Sequence, residues 1–412
     1  MTTPLAQLLP GRRGFDGADI IFTMNAAAQR RAAAGAAVIN ATVGALLDEQ
    51  GALVVLPSVM AQYAQLTPKE IGPYAPIAGD PSYLLALTQR HWPTLTSYGQ
   101  GAATPGGSGA LALSLRNLLE PGQQLLTMAP YWGPYATLAQ ENGVSVVTVP
   151  MPEHGASLDV DAWRTVMTTM MASQGRVLLW LNDPCHNPTG RSLSAADRQA
   201  LLTVLDDMAA QGPVTLLLDL AYLDYARDPE AVASALQDYA DFAVAQAARE
   251  GGVLVGACLS LSKAFTIYGA RAGALVFPWC TDASLGAAMA TTCRGTWSNC
   301  PRAPMHVLLR LVGSPEARAQ LASEHLRWRA VLTERADALD AALRAEGHPG
   351  AAWDGGFFVV ITDPDPAGLC ARLQAHDVFT VPIPEGLRVG ICGMKAADAP
   401  RFAAALMASR QH

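Results

Sequence analysis

Charged residues are scarce in this chain of 412 residues and make up only 15% of it. The net charge is −7 and there are few clusters of charge, so we expect no nucleic-acid partner and no attraction to an anionic membrane. Uninterrupted apolar runs of the roughly 18 residues needed to span a membrane are missing as well. No long apolar stretch follows the N-terminal charges, as it would in a signal peptide.

The cysteines show no pairing pattern. There are seven, an odd number, and no two have the Cys-x-x-Cys spacing of zinc and redox sites, so we expect neither a metal site nor a disulfide framework. Free thiols are typical of the reducing cytoplasm, where we expect the protein to be. A Gly-x-Gly-x-x-Gly loop and a P-loop lysine are also missing, so the sequence does not support dinucleotide or ATP binding.

Half of the residues are hydrophobic, which is enough for a sizeable core and a buried subunit interface. From residue 54 onward, helical stretches alternate with short apolar runs typical of strands buried on both faces. This alternation predicts an α/β domain with a mostly parallel sheet. The apolar runs are residues 124–130, 144–150, 176–184, 214–222, 252–262 and 272–278.

The two ends of the chain have a different pattern. A helix is predicted over residues 24–35 and a short strand over 36–43. A long helical segment, residues 316–343, leads to two strand-like pieces at 357–363 and 386–394 and to a final helix at 396–409. The long helix is therefore predicted to connect the α/β domain to a second, smaller domain.

The most informative segment is residues 260–275, which follow an apolar strand. Lys263 comes just after the strand, where open α/β sheets bind ligands. A lysine there can form a Schiff base with an aldehyde cofactor, and Ser260 and Arg271 could bind a phosphate beside it. The alternative is a surface lysine in a polar turn. The Gly-Ala-Arg-Ala-Gly that follows favours the cofactor site.

A carboxylate lies at the end of another apolar strand. Asp219 would be costly to bury unless it is paired, and a pyridinium nitrogen is a fitting partner because the carboxylate would keep the ring protonated. Tyr222, three residues later, could hydrogen-bond the phenolic oxygen of the same cofactor. The alternative for Asp219 is a role in capping the next helix.

The segment His-Asn-Pro-Thr-Gly, residues 186–190, reads as a turn because proline fixes its φ and glycine permits unusual backbone angles. Asn187 would offer its amide to the ring oxygen, and Ser194 is predicted to cap the helix that follows. The alternative is a simple loop.

A glycine-rich segment precedes another predicted helix. Gly107 and Ser108 would present backbone N–H groups and the positive end of the helix dipole to a phosphate. The alternative is a flexible turn.

Two further residues are informative only in context. Trp132 could stack on an aromatic cofactor ring, and the alternative is a half-buried core residue. Arg388 lies in an apolar strand of the smaller domain and needs an anion, which a substrate carboxylate could supply through two hydrogen bonds. The alternative for Arg388 is an internal salt bridge.

Taken together, these residues resemble the fold-type I aminotransferases, in the branch of the aspartate and aromatic amino acid aminotransferases. The resemblance runs from Val43 to Met394, with the family's motifs in the same order. It implies a large domain that binds pyridoxal 5′-phosphate, residues 54–320, with a mostly parallel seven-stranded sheet flanked by helices. It also implies a smaller α/β domain made of both termini, residues 1–53 and 321–412.

The resemblance implies a role for each of these residues. Lys263 would hold the cofactor and move a proton, Asp219 would pair with the ring nitrogen, and Asn187 and Tyr222 would bind the ring oxygen. Trp132 would cover the ring and, with Asn187, also face the substrate. The implied phosphate ligands are Gly107, Ser108, Ser260 and Arg271, and the implied ligands of the substrate α-carboxylate are Arg388 and the Gly44 backbone.

Two implied residues act across a homodimer. Tyr74 matches the tyrosine that reaches the phosphate of the neighbouring subunit, and Arg294 matches the arginine that binds a second, distal carboxylate of the substrate. We therefore expect a homodimer as the minimum assembly, with an amino acid and a 2-oxo acid as its small-molecule partners.

The chain departs from the aspartate enzymes at three places. Their histidine near the ring-nitrogen aspartate is replaced by Tyr135, and their Ser-Asn-Pro-Pro motif has Cys300 in third place. After Gly44 the chain has apolar residues, Ala45 to Leu47, where those enzymes have polar ones. Apolar residues suit an aromatic or aliphatic side chain. The expected reaction is ping-pong transamination of aromatic or varied L-amino acids, aspartate included, with 2-oxoglutarate as acceptor.

Two other functions are compatible with the motifs. The same scaffold supports elimination and decarboxylation, because the fold does not decide the chemistry. A cofactor-binding regulator without enzymatic activity is the second alternative. Such regulators carry an additional DNA-binding domain, and the fifty or so residues before the first large-domain strand are not basic enough to form one.

Overall fold

The computed structural model describes residues 7–9, 12 and 19–410. The helices are α1 Ile20–Ala33, α2 Pro57–Ala64, α3 Pro68–Ile71, α4 Pro81–Gln89, α5 Gly106–Leu118, α6 Pro134–Glu141, α7 Val160–Gln174, α8 Ala195–Ala209, α9 Pro229–Ala247, α10 Leu261–Ala264, α11 Ala283–Thr296, α12 Arg302–Gly313, α13 Pro315–Ala345, α14 Pro366–Gln374 and α15 Ala399–Arg410. Short 3₁₀ turns occupy Leu223–Tyr225, Tyr268–Ala270 and Ala396–Asp398.

The strands are β1 Ile39–Asn40, β2 Gln100–Pro105, β3 Gln124–Ala129, β4 Ser145–Pro150, β5 Val177–Leu181, β6 Val214–Leu220, β7 Leu254–Ser260, β8 Ala272–Phe277, β9 Phe358–Thr362, β10 Val378–Phe379, β11 Val381–Ile383 and β12 Gly386–Gly390. Every apolar run from residue 124 to 278 that the sequence predicts as a strand forms one, with its ends shifted by a few residues.

Seven of these strands form one sheet in the order β2-β8-β7-β6-β5-β3-β4. The pairs from β7 to β4 are all parallel, and β8 runs antiparallel to both of its neighbours. Every residue of β5 and β6 is buried, as expected for central strands covered by helices on both faces. The predicted mostly parallel seven-stranded α/β sheet is confirmed.

Strand β2 was not predicted from the sequence. Its residues, Gln-Gly-Ala-Ala-Thr-Pro, have low β propensity. It forms because small residues allow close approach to β8: a Cβ on Gly101 would lie 3.1 Å from the carbonyl oxygen of Leu275. Packing against the neighbouring strand therefore overrides the local preference.

The chain termini come together in two small sheets. Strand β1 pairs in parallel with β10, and β11, β12 and β9 form an antiparallel sheet. Only two residues of the predicted strand 36–43 are paired, because the segment turns away to enter the site. Helix α1 begins at Ile20, four residues before the predicted start, where the Asp19 carboxylate accepts a hydrogen bond from Ile21 N at 2.7 Å.

Side-chain hydrogen bonds cap the first turns of several helices. Ser194 caps α8 as predicted, since its hydroxyl accepts from Asp197 N at 3.1 Å. The predicted long helix is α13, which runs from Pro315 to Ala345 and packs against α15. No helix in the described ranges is long and apolar enough to cross a membrane.

Candidate active site

A cavity of about 300 Å³ opens where the carboxyl ends of β5, β6 and β7 meet the start of α5. Parallel strands end at one edge of a sheet, so residues distant in sequence converge there. The structure places all of the predicted site residues around this cavity except Tyr74 and Arg294. Those present are Gly44, Gly107, Ser108, Trp132, Asn187, Asp219, Tyr222, Ser260, Lys263, Arg271 and Arg388.

Lys263 lies in α10, three residues after the end of β7. Burial lowers the pKa of its amine to about 8, and the nearby Arg271 and Arg388 cations act in the same direction. The amine also lies 4.8 Å from the centre of the Tyr268 ring. A lysine with a lowered pKa is neutral more often at physiological pH and can act as a nucleophile or a base.

Asp219 is the penultimate residue of β6. One carboxylate oxygen, Oδ2, accepts a hydrogen bond from the Tyr135 hydroxyl at 2.6 Å. Burial raises the pKa of Asp219 to about 6, while the Tyr135 hydrogen bond and the Lys263 cation act in the opposite direction. A buried carboxylate and a half-buried amine thus line the same cavity.

Tyr222 and Asn187 form a polar pair on one side of the cavity. Asn187 Nδ2 donates to the Tyr222 hydroxyl at 3.2 Å, and Asn187 N donates to Asn182 Oδ1 at 2.5 Å. Asn187 Oδ1 is buried and has no hydrogen-bond partner among the described residues. Burial raises the pKa of Tyr222, so its hydroxyl stays protonated. Both side chains retain hydrogen-bonding capacity for a ligand.

The start of α5 and the α10 loop form a cradle for an anion. Gly106 adopts a φ of 73°, and a Cβ there would lie 2.5 Å from Arg271 Nη2, so the close approach requires glycine. Arg271 donates to the carbonyl oxygens of Tyr268 at 2.9 Å and Pro105 at 3.0 Å. These contacts hold its guanidinium beside the backbone N–H groups at the helix start, where a phosphate is stabilised.

Arg388 lies in β12 and is 4% exposed. Its Nη2 donates to the carbonyl oxygen of Thr42 at 2.8 Å, and its Nε is buried without a partner among the described residues. Its guanidinium lies 4.3 Å from the centre of the Phe358 ring. No carboxylate in the described ranges forms an ion pair with it, so the internal salt bridge considered from the sequence is not observed. Burial lowers the pKa of Arg388, and the Asp19 carboxylate only opposes that lowering.

Gly44 allows the loop after β1 to approach β9, the strand paired with that of Arg388, because a Cβ there would lie 3.0 Å from Phe358 Cζ. Trp132 lines the cavity and packs edge to face on Tyr135, with ring centres 5.9 Å apart. It is therefore neither a solvent-exposed residue nor a fully buried core residue.

Tyr74 and Arg294 lie away from the cavity of the single chain. Tyr74 is 88% exposed. Arg294 is on the exposed side of α11, where its Nη1 donates to Ser298 Oγ at 2.7 Å. Neither residue is brought to the cavity by the contacts of one subunit.

Sequence reasoning missed several cavity residues. Asn182 follows the apolar strand β5 just as polar residues follow β6 and β7, so that pattern could have revealed it. The apolar lining had no such signal, because it comes from α1, from α5, from β9 and from the loop after β1. The missed residues are Ile21, Phe22, Asn25, Val43, Leu111, Asn182, Ala221, Ser262 and Phe358.

The chain is similar to known proteins over most of its length. The family model described as aminotransferase class I and II matches residues 36–406. A tyrosine aminotransferase of Rhizobium meliloti is 26% identical over 387 residues, which are 89% of this chain and 91% of that protein. Cystathionine beta-lyase PatB of Bacillus subtilis is 28% identical over 178 residues, 42% of this chain and 41% of that protein.

Solved structures have the same fold. An aminotransferase from Anaerococcus prevotii superposes with a TM-score of 0.89 at 27% identity and covers 98% of both chains. An aromatic-amino-acid aminotransferase from Burkholderia pseudomallei, covalently bound to pyridoxal phosphate, has a TM-score of 0.78 at 23% identity and also covers 98% of both chains. With a family model that matches almost its whole length, the chain is a transaminase and belongs to the class I and II aminotransferases.

Proposed function

We propose that this enzyme uses pyridoxal 5′-phosphate to move the amino group of an L-amino acid to 2-oxoglutarate by a ping-pong mechanism. The favoured donors are amino acids with aromatic side chains or a broad range of amino acids, and aspartate is among the possible donors. The observation that carries the proposal is the pair of Lys263 and Asp219, a half-buried amine of lowered pKa and a buried carboxylate, which line one cavity.

The cavity fits this cofactor at three places. The phosphate would bind at the start of α5, held by Gly107, Ser108, Ser260 and Arg271. The Asp219 carboxylate supplies the anion that a pyridinium nitrogen needs. The unsatisfied Asn187 amide and the Tyr222 hydroxyl offer hydrogen bonds to the ring oxygen, and Trp132 would cover the ring.

When bound, pyridoxal 5′-phosphate supplies an aldehyde that captures amines and a ring that withdraws electrons. Lys263 Nζ would hold the aldehyde at rest. The free amine of Lys263 would take the Cα proton of the substrate and deliver it again, because its lowered pKa leaves it neutral more often. Asp219 would keep the ring nitrogen protonated throughout.

The substrate α-carboxylate would bind Arg388, which is buried, has an Nε without a hydrogen-bond partner and forms no ion pair with a carboxylate in the part of the chain described. Gly44 would offer backbone contacts beside it. The cavity wall includes the apolar side chains of Val43, Leu111 and Phe358, and the Phe358 ring lies against Arg388. An apolar wall suits an aromatic or aliphatic side chain better than a carboxylate.

A homodimer would complete the site. Leu53, Val55 and Met60 line an apolar depression of the surface and are each at least 40% exposed, and several large apolar side chains exposed together mark a protein interface. The exposed Tyr74 and Arg294 would then reach the partner's site, where Tyr74 would bind the phosphate and Arg294 the distal carboxylate of 2-oxoglutarate.

The seven free cysteines support a cytoplasmic location.

The half-reaction tests this proposal directly. The purified protein, loaded with pyridoxal 5′-phosphate, is mixed with phenylalanine, tyrosine, aspartate or glutamate, without any keto acid. We expect the visible band of the lysine-bound cofactor to convert to the pyridoxamine phosphate band and to return when 2-oxoglutarate is added. The fastest amino acid identifies the donor class, and aspartate reacting much faster than phenylalanine or tyrosine would contradict the aromatic preference.

The second candidate is a lyase or decarboxylase, which the partial likeness to PatB favours. Ammonia or carbon dioxide would then appear while the visible band persists, and no keto acid would be needed for sustained turnover. The same half-reaction therefore separates the two functions.

A further inference from the structure

Tyr135 lies behind the Asp219 carboxylate, on the first turn of α6. It is 1% exposed, and its hydroxyl donates to Asp219 Oδ2 at 2.6 Å. Among the described residues, it is the one side chain that hydrogen-bonds this carboxylate. Tyr135 does not line the cavity itself, and its hydroxyl reaches the cavity through the Asp219 carboxylate.

The Tyr135 ring is fixed by aromatic packing on several sides. Trp180 of β5 contacts it edge to face, with ring centres 4.9 Å apart at 74°, and Trp132 contacts it at 5.9 Å and 81°. Tyr131 stacks nearly parallel at 6.2 Å and 11°. Tyr135 N also donates to the carbonyl oxygen of Trp132 at 2.8 Å. The hydroxyl therefore points at Asp219 without losing further freedom when a ligand binds.

The groups around the Asp219 carboxylate affect its pKa, and the hydrogen bond from Tyr135 is one of them. Lys263 lines the same cavity and lowers the pKa of Asp219 by its charge, while Tyr222 and Cys258 are the other titratable groups near the hydroxyl-carboxylate pair. Burial raises the pKa of Asp219 to about 6, and the hydrogen bond from Tyr135 opposes that rise. Burial also raises the pKa of Tyr135, so the phenol remains a neutral donor at any working pH.

We propose that Tyr135 is a positioning residue that holds the Asp219 carboxylate in one orientation and in its ionised form, with a donor whose charge does not change between pH 5 and 8. The aspartate enzymes that the sequence resembles have a histidine at this position. A histidine can gain a second proton in that range, whereas a phenol cannot. This inference rests on the proposed function, in which Asp219 pairs with the cofactor ring nitrogen.

The test uses the full-length protein with ¹³C-labelled aspartate, first without and then with pyridoxal 5′-phosphate. Asp219→Asn assigns the Asp219 signal, and Tyr135→Phe removes only the hydroxyl while leaving the aromatic packing. Tyr131→Phe is the matched control, because Tyr131 stacks on the same ring. We expect the midpoint of the Asp219 titration to move to higher pH in Tyr135→Phe and to stay at the wild-type value in Tyr131→Phe.

Turnover gives a second readout. A hydrogen bond to a charged group corresponds to about a 10-fold or greater change in an equilibrium or a rate. We expect kcat/KM of the loaded Tyr135→Phe enzyme to fall by about that factor. Tyr135→His restores a donor and should add an ionisation between pH 5 and 8 to the pH profile. This variant also keeps the test readable if Tyr135→Phe does not fold.

An unchanged Asp219 midpoint in folded Tyr135→Phe overturns the inference, as does an equal shift in Tyr131→Phe. A Tyr135→His profile without an added ionisation overturns it too. The titration without cofactor needs no turnover. A wild-type protein that fails to transaminate therefore counts against the proposed function while the role of Tyr135 is still measured.

Discussion

The two sides of the cavity differ in how firmly the structure fixes them. We call Asn187, Asp219, Tyr222, Lys263 and Arg271 the floor, and Ile21, Phe22, Val43, Phe358 and Arg388 the mouth. The floor residues lie in β6, in α10 and in loops beside the large sheet, and four of the five take part in side-chain hydrogen bonds. The mouth joins α1, the loop after β1 and the small sheets.

The contacts of the two sides differ in the same way. Asp219 on the floor has a hydrogen bond of 2.6 Å from a fully packed ring, whereas Phe22 at the mouth is 73% exposed. A rigid floor suits groups that must hold reacting atoms in place. Phe22, at the exposed edge of the mouth, suits the choice among side chains, whereas Phe358 and Arg388 of the same side are buried. We infer that the floor sets the reaction and the mouth sets the substrate.

Lys263→Ala is the strongest test of the floor. Removing the amine should lower kcat/KM by roughly 10⁴-fold or more, because both covalent capture and proton transfer depend on it. Steady-state rates measure the loss, and circular dichroism checks that the fold is kept. Lys395→Ala, which alters an exposed lysine, should have wild-type rates. Appreciable turnover by Lys263→Ala would rule out the assignment.

Arg388→Lys tests the proposed binding of the substrate α-carboxylate at the mouth. A lysine keeps the charge but not the forked pair of donors, so KM for the amino acid should rise by about 100-fold, with a smaller change in kcat. Arg401→Lys is the control, since Arg401 is exposed and donates to the backbone of Ala37. An unchanged KM in Arg388→Lys would mean that the carboxylate binds elsewhere.

Lys263 on the floor should lower the free energy of unfolding of the cofactor-free protein. Burial lowers the pKa of Lys263 from 10.5 to about 8, so below pH 8 the folded protein holds a charged amine that is better solvated in the unfolded chain. Lys263→Met should therefore raise the free energy of unfolding of the cofactor-free protein by about 1–3 kcal/mol at pH 7.

The sign of this effect fixes its pH dependence. The gain should shrink as pH rises from about 8 to 10.5, where the amine is neutral in both states. Urea unfolding at pH 7 and pH 10 measures it, with Lys69→Met, an exposed lysine, as control. A gain that is equal at both pH values would contradict the buried-charge explanation.

Phe22→Ala should have the smallest effect and should act on selectivity. Phe22 is largely exposed but lines the mouth, so its loss should lower kcat/KM for phenylalanine relative to aspartate by roughly 3- to 10-fold. Stability should change by less than about 0.5 kcal/mol, as for most surface substitutions. Leu326→Ala, another exposed apolar residue, should leave the ratio unchanged. Equal loss for both substrates would place Phe22 outside the side-chain subsite.

The same division explains what the sequence could predict. Asp219 and Lys263 lie at or just after the ends of apolar strands. A polar residue at the end of an apolar run can be recognised in the sequence, so both residues could be predicted. The mouth residues Ile21 and Phe22 come from a helix far away in sequence, and only tertiary packing brings them to the cavity. Strand β2 was missed because its small residues are selected by contact with β8 rather than by propensity.

Other residues were beyond prediction for different reasons. Tyr135 could be noted as a replacement, but its hydrogen bond to Asp219 depends on three aromatic neighbours from two elements. Tyr74 and Arg294 can meet a site only through a second subunit, so their predicted roles depend on a contact that one chain does not contain.

The central claim is that Lys263 on the floor holds the cofactor, and reductive trapping tests it most directly. The protein is loaded with pyridoxal 5′-phosphate, reduced with borohydride, digested and mapped by mass spectrometry. The sequence has only three lysines, Lys69, Lys263 and Lys395, so the assignment is unambiguous. We expect the phosphopyridoxyl group on the peptide that contains Lys263. Its presence on Lys69 or Lys395 instead, or no stoichiometric label at all, would contradict this account of the site.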